Sequence, residues 1–318
     1  MSAIITEKFR QHNADQFVES FTETSNSTYY LFVGKATAYT SSTTGGSDST
    51  PPAPADAPGD TEFYAWDSML AAKNVTSSDV SYAIPRRNWA NGDTYDMYDD
   101  DISSSSTTTS GASNLYDSTF YFMTSDYRVY KVLDNNAGAA YSGAEPTSES
   151  TSPFELGGYV LKYMYAITTS EAAKYLTSDF IPVSNDSTIT AAATDGGIES
   201  LKITAGTGYT NGTYYAAIYG DGTSAGTSSG GIVRITVSGG VIQSFGLTAG
   251  SDTTLHAGGA AYTFGTVNLA SGYTFSDSGL SSASAIGGSG GAIEVVISPK
   301  NGHGYSAIKE LGGHYVMT

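Results

Sequence analysis

The sequence predicts a mainly β protein: a layered β-sandwich core with two or three short helices, plus an inserted Gly-rich β-sandwich or β-roll module. Three observations carry this. The 318 residues include 24 Tyr and 37 Gly among abundant Ser, Thr, Val and Ile, a mixture suited to strands joined by turns. Period-two alternation recurs in short runs, as at Val233, Ile235 and Val237, between glycine-rich turn signals. Helical periodicity is confined to a few short stretches. A chain of this length can bury a sizeable core, in one to three domains.

The charge balance narrows the function. Against 31 Asp and Glu stand 14 Lys and Arg, a net charge of −17. A nucleic-acid partner requires a basic footprint, which this chain lacks, and an anionic membrane is disfavoured for the same reason. High negative charge suits solubility, or a partner of complementary charge. The chain has no cysteine, which excludes disulfide scaffolds, thiol catalysis and Cys-based zinc sites. MSAIITEKFRQ lacks a charged region followed by an apolar run, so no signal peptide is expected. No apolar stretch approaches the roughly 18–20 residues that span a bilayer. The acceptor triplets at Asn26, Asn74, Asn185 and Asn211 are accordingly read as accidental.

In chain order, residues 3–9 read as a short strand, and Asn13 with Gln16 has capping-box spacing ahead of a helix over 14–22. YYLFVGK, residues 29–35, reads as a buried strand. Residues 38–59, rich in Ser, Gly and Pro, form a long loop. Trp66, Met69, Leu70 and Lys73 fall at helical spacing and predict a second helix with a core-facing stripe. Residues 83–101, AIPRRNWANGDTYDMYDDD, are the densest mixture of rigid, aromatic and charged residues. Pro85 belongs at a strand edge or exit. Arg86 and Arg87 point to opposite sides of an extended chain, so one can reach outward while the other lies under the protein's own loops. Trp89 is an apolar anchor, and Asn91-Gly92-Asp93 is turn chemistry. Guanidiniums and Trp are typical interface anchors; the alternative is a structural corner with internal Arg–Asp pairing.

Residues 103–113, SSSSTTTSGAS, read as a flexible polar loop within 102–114, and 137–153 as another. A hairpin is predicted from 119–123 and 128–133, a long strand from 158–167, a short helix capped near Thr169-Ser170, and a strand from 179–183. Residues 186–296 change in composition. They hold one Lys, one Arg, no Trp and no Pro, with loosely repeated units of a glycine pair, an alternating strand and a turn. They read as an insertion between a core of residues 1–185 and a return at 297–318. The chain stops inside a predicted strand, 313–318, so either the protein is short at its C-terminus or, the favoured expectation, this sequence is not the whole gene product.

Residues 83–101 resemble the corresponding segment of the dimeric baseplate wedge protein of T-even-like contractile-tailed bacteriophages. IITEKFRQHNADQFVESF, YYLFVGKATAY, FYAWDSMLAAK, YRVYKVLDNN and GGYVLKYMYAI resemble that family too, in the same order. The resemblance covers about residues 3–183 and points to a marine, cyanophage-type relative. It implies an all-β core with two short helices, a homodimer and contacts with other wedge proteins. The implied work is that of a rigid bracket in baseplate assembly and tail contraction, in a virion assembled in the host cytoplasm. Phe9, Phe17, Trp66, Arg86, Arg87, Trp89 and Asp93 are the candidate core and interface anchors.

Catalytic chemistry finds no support. No GxSxG, P-loop, HExxH or GxGxxG appears in a strand-to-helix context, and 31 acids always contain pairs of glycosidase type. The expectation is therefore no enzyme, no cofactor and no metal. His303 and His314 with Glu310 could be proposed for zinc, but a turn His and a strand His explain them better. The acids of 93–101 lack the ligand order of a calcium loop, and Asp221 reads as a turn residue. The alternative function is a carbohydrate- or receptor-binding module over 186–296, with Tyr209, Tyr214, Tyr215, Tyr219 and Tyr273 as stacking faces; packing of the small sandwich is the competing explanation.

Overall fold

A computed structural model describes residues 5–25, 27–34, 46–51, 69–227, 229–269 and 286–318. The chain opens on helix α1 (Glu7–Glu19), whose N-cap Thr6 accepts from the Phe9 N–H. The expected strand over 3–9 is thus replaced by helix from Glu7 onward, and the start expected at Asn13 lies inside it. Thr6 supplies the acceptor that an orphan N–H of the first turn requires, two turns earlier than expected. Strand β1 (Tyr29–Gly34) pairs antiparallel with β2 (Met69–Val75). The second helix is therefore corrected over Met69, Leu70 and Lys73, which lie on a strand; ladder pairing with β1 overrides the helical spacing. Trp66 and most of the 38–59 loop fall outside the described residues.

Strands β3 (Ser81–Pro85), β4 (Tyr121–Met123), β5 (Arg128–Asp134), β6 (Phe154–Leu156) and β7 (Tyr159–Ala166) follow. Next come helix α2 (Thr169–Tyr175), capped by Thr168 with Glu171 in a capping box, and β8 (Phe180–Val183). A four-stranded antiparallel sheet runs β4-β5-β7-β6. A second sheet places β3 between β8 and β18 (Tyr315–Met317), so the tail returns to the first half of the chain. Pro85, the last residue of β3, ends the ladder where its missing N–H costs least.

The two sheets enclose one core, in which Ile84, Ile181 and Val183 meet Tyr121, Met123, Val129 and Tyr165. Tyrosines rather than aliphatics bridge it, because each finds an acceptor across the layer. Tyr121 donates to the Pro85 carbonyl at 2.7 Å and Tyr165 to the Pro182 carbonyl at 2.9 Å. The opposite face of the four-stranded sheet is also buried. There Phe122, Tyr130, Leu161 and Tyr163 pack with Tyr95, Tyr141 and Ile189. Ile189 comes from helix α3 (Ser187–Ala192), so the first residues of 186–296 pack with the preceding sheet.

Nine described strands then follow: β9 (Ser200–Thr204), β10 (Thr207–Tyr209), β11 (Gly212–Gly220), β12 (Ile232–Ser238), β13 (Val241–Ile242), β14 (Thr254–Ala257), β15 (Gly265–Val267), β16 (Gly287–Ser289) and β17 (Ala292–Val296). The main sheet runs β13-β12-β11-β15-β17-β9, with β14 also on β12. Its alternating residues Ile218, Val233, Ile235, Val237 and Val295 share a core with Leu133 and Val160 of the four-stranded sheet. The last helix, α4 (Ala307–Glu310), leads into β18.

Asp134 ends β5 where these two cores meet. Burial pushes its carboxyl up to about 6, against the Asn136 N–H bond that favours the charge. In an unfolded chain the same group titrates near about 3.9. The native state therefore binds the extra proton between these values and loses stability as pH rises through them. Asp134→Asn keeps an acceptor for Asn136 and removes the buried charge. Urea denaturation should find it equal to wild type near about pH 3.5 and more stable by about 1–3 kcal/mol above about pH 6.5. A gain independent of pH would assign the effect to packing instead.

Candidate interaction surface

Residues 83–101 run along the four-stranded sheet rather than away from it. The Trp89 N–H donates to the Met123 carbonyl and the Met123 N–H to the Arg87 carbonyl, at 2.8 and 2.7 Å. Farther on, the Tyr98 N–H donates to Val132. This backbone pairing sends the two guanidiniums apart. Arg86, half-buried, donates to the Thr177 carbonyl and the Asn88 side chain near the protein surface. Arg87 turns under the protein's loops: it donates to the Tyr116 carbonyl at 2.9 Å and lies 4.4 Å above the Tyr121 ring. Burial lowers its pKa, opposed by Tyr121, Asp96 and Asp117. Arg87 is thus the structural arginine and Arg86 the outward one. Trp89 stands edge-on to Tyr141 with their centroids 5.7 Å apart. Asp93 is exposed, and its carbonyl accepts from Tyr141.

The acids that follow are used inside the fold. Buried Asp96 accepts from the N–H and hydroxyl of both Ser110 and Thr119, at 2.6–3.1 Å. Burial alone would raise its pKa; these bonds outweigh it, and the net shift is downward. They also hold down the loop over 103–113, which is bonded at Ser110, where sequence alone reads a free polar loop. Lys202 reaches Asp99 at 2.5 Å, Glu294 at 3.1 Å and Asp101 at 3.5 Å. Asp99, Asp101 and Glu294 are the group among the described residues whose oxygens come close enough to share a cation. The Lys202 ammonium is that cation.

Two further lysines face each other in register on β5 and β7, Lys131 and Lys162, both buried. Lys131 reaches Glu310 at 2.9 Å and the His303 Nδ1 at 2.8 Å, and lies 3.8 Å above the Tyr98 ring. Lys162 reaches Glu199 at 3.0 Å. Burial, then the two lysines, holds His303 well below its ordinary pKa. The ring is therefore neutral near pH 7, and Nδ1 accepts from the ammonium. His303 and Glu310 serve this network, while His314 lies 3.2 Å from Glu7 on α1; the described residues do not gather them into a zinc site.

The solvent-facing apolar surface lies elsewhere. On the β1–β2 ribbon, Tyr30 is 65%, Val33 60%, Leu70 62%, Leu31 50% and Phe32 44% exposed. The buried strand expected over 29–35 is corrected: it is a strand, but one with a single partner and both faces open, because no other described strand pairs with the ribbon. A two-stranded ribbon has no layer against which to bury a face. At one end of the ribbon Val75 is buried and Tyr29 turns inward, against Phe17 and Phe21 of the helical segment. Phe9, expected as an anchor, is 52% exposed on α1. Sequence reading missed this patch because an apolar run reads the same whether its cover is the chain itself or a neighbour.

Of the tyrosines proposed as sugar platforms, Tyr209 is a correction: it is 7% exposed, and its hydroxyl accepts the Gly291 N–H inside the core. Tyr214 donates to the Thr210 carbonyl, Tyr215 packs edge-on to His256, and Tyr219 is partly exposed. Tyr273 lies outside the described residues.

Residues 3–145 match the family model of Gp8 of bacteriophage T4, the baseplate wedge protein. No curated protein matches the chain.

Arg87→Ala removes one charged hydrogen bond and one cation–π contact, and should lower unfolding free energy by about 2–4 kcal/mol. Ser105→Ala, at an exposed turn, should stay within about 0.5 kcal/mol of wild type. Denaturant titration of both variants checks this, and equal midpoints would show that Arg87 holds nothing in place.

Proposed function

From the premise that residues 3–145 carry the baseplate wedge Gp8 family of T4-like phages, we propose that this protein is a rigid dimeric bracket. It joins other wedge proteins during baseplate assembly in the host cytoplasm and keeps them registered when the tail contracts. The family's structural role in the phage baseplate supports a location in the virion. A mechanical role also agrees with a chain whose buried Lys131, Glu310 and His303 are engaged with one another.

The observation that carries the dimer is the β1–β2 ribbon. Four consecutive exposed apolar residues, Tyr30, Leu31, Phe32 and Val33, on an otherwise acidic protein suit a surface that another subunit covers. Stable permanent interfaces bury about 2,000 Å² or more, and the ribbon supplies the apolar centre of such a patch. Rigidity is supported by the joint between the sheets. The Lys162–Glu199 and Lys202–Asp99 pairs, the Tyr98 hydroxyl on the Ile297 carbonyl and the Ser200 hydroxyl on the Leu133 carbonyl all cross it. Residues 186–296 then act as an inserted module fixed to the wedge core, with 297–318 returning to close it.

Light scattering should give twice the 33.0 kDa of one chain at micromolar concentration. Leu31→Asp with Phe32→Asp should give a folded monomer, because these side chains support no core of their own. A wild-type monomer at the same concentration would remove the dimer, and a double variant that stays dimeric would move the interface off the ribbon.

A further inference from the structure

A cleft of about 550 Å³ opens beside the buried lysine network, at the meeting of α1, the loop before β4 and the tail. Its walls include Tyr98, Leu115, Tyr116, Pro299 and Tyr305. Three lysines from separate segments line it: Lys8 on α1, Lys300 in the turn after β17, and Lys309 on α4. Against a net charge of −17 such a grouping is unusual. Elsewhere Lys73, Arg128, Lys131, Lys162 and Lys202 each hold a carboxylate within 3.1 Å. Lys8 and Lys300 are exposed, and among the described residues their ammonium groups have neither an ion pair nor a hydrogen bond. Lys309 is 65% exposed and touches Asp15 only at 3.5 Å.

The acids nearby do not neutralise the cleft. Glu310 lines it, but its Oε2 is held by Lys131 and its Oε1 accepts the N–H groups of Gly304 and Ser306. Asp15 accepts the Tyr82 hydroxyl. What remains is the unpaired ammonium charge of Lys8 and Lys300, with Lys309 only loosely held by Asp15, over an aromatic floor where the Tyr305 hydroxyl and the Asn301 side-chain amide are unengaged among the described residues.

We infer that this cleft receives an acidic segment of a neighbouring polypeptide, whose Asp or Glu side chains pair with Lys8, Lys300 and Lys309. The volume is far larger than a single small anion needs, and the apolar walls suit the aliphatic and backbone portions of a peptide. The chain's own field repels acidic peptides from the rest of its surface, so attraction is local to the cleft and weakens with salt. The inference stands on the cleft alone and does not depend on the dimer or on the baseplate role.

The test uses the full chain and a fluorescein-labelled hexapeptide, Asp-Glu-Asp-Glu-Asp-Glu, followed by anisotropy at low salt. Saturable binding is expected. Lys8→Gln with Lys300→Gln should weaken it at least tenfold, whereas Lys174→Gln should leave it unchanged. Lys174 is exposed on α2 and donates to the Ser78 carbonyl. Because Lys8 and Lys300 support no internal contact among the described residues, the double variant should keep the wild-type thermal midpoint, which separates lost binding from lost folding. Absence of saturable binding overturns the inference, as does an unaffected double variant. Displacement by sodium phosphate but not by sodium chloride of equal ionic strength also overturns it, and reassigns the cleft to a small oxyanion.

Discussion

Two buried lysines organise this molecule. Lys131 and Lys162 sit opposite each other on adjacent strands, on a sheet whose two faces are both covered. Neither can be left unpaired there, since an isolated buried charge costs several kcal/mol. Each charge is met from a different distant segment. Glu310 and His303 come from the tail, and Glu199 from the approach to β9. The four-stranded sheet therefore completes its own interior only when the C-terminal segments are docked. That requirement joins segments far apart in the chain and orders the rest of the fold around them.

The same logic explains where the polar segments go. Asp96 gathers donors from Ser110 and Thr119 and holds a serine- and threonine-rich loop against the core. Lys202 draws together Asp99, Asp101 and Glu294, and Asp100 caps the Ile297 N–H. These acids follow Trp89 closely in sequence, so one short stretch ties the first half of the chain to the last strands. Against this closed interior, the apolar β1–β2 ribbon and the lysine-lined cleft are two surfaces of opposite character. One suits an apolar partner and the other an acidic one, which is what a subunit with several neighbours requires.

The core strands were legible because their signals are local. The hairpin around Tyr127, the long strand over Tyr159–Ala166 and the alternation of Val233, Ile235 and Val237 depend on residue pattern alone, and the structure has them. The divergence of Arg86 and Arg87 was legible too, since successive side chains on extended backbone point apart. Which one is buried was not, because Tyr116 and Tyr121 reach Arg87 from about 30 residues away. Met69–Val75 misled for a related reason: its helical spacing is local, but the β1 ladder that decides its conformation is not.

By itself the sequence determined the β class, the acidic character, the absence of thiol chemistry and the family likeness of its first half. Those follow from composition, short-range periodicity and ordered motifs. Tertiary structure alone decided that Lys131, Lys162 and His303 share one interior, that Tyr209 faces inward, and that the ribbon over Tyr29–Gly34 is open to solvent. The physical reason is that burial and charge pairing are properties of what a residue meets across the fold. A buried lysine, a core tyrosine and an exposed phenylalanine carry no mark of that in their own letters.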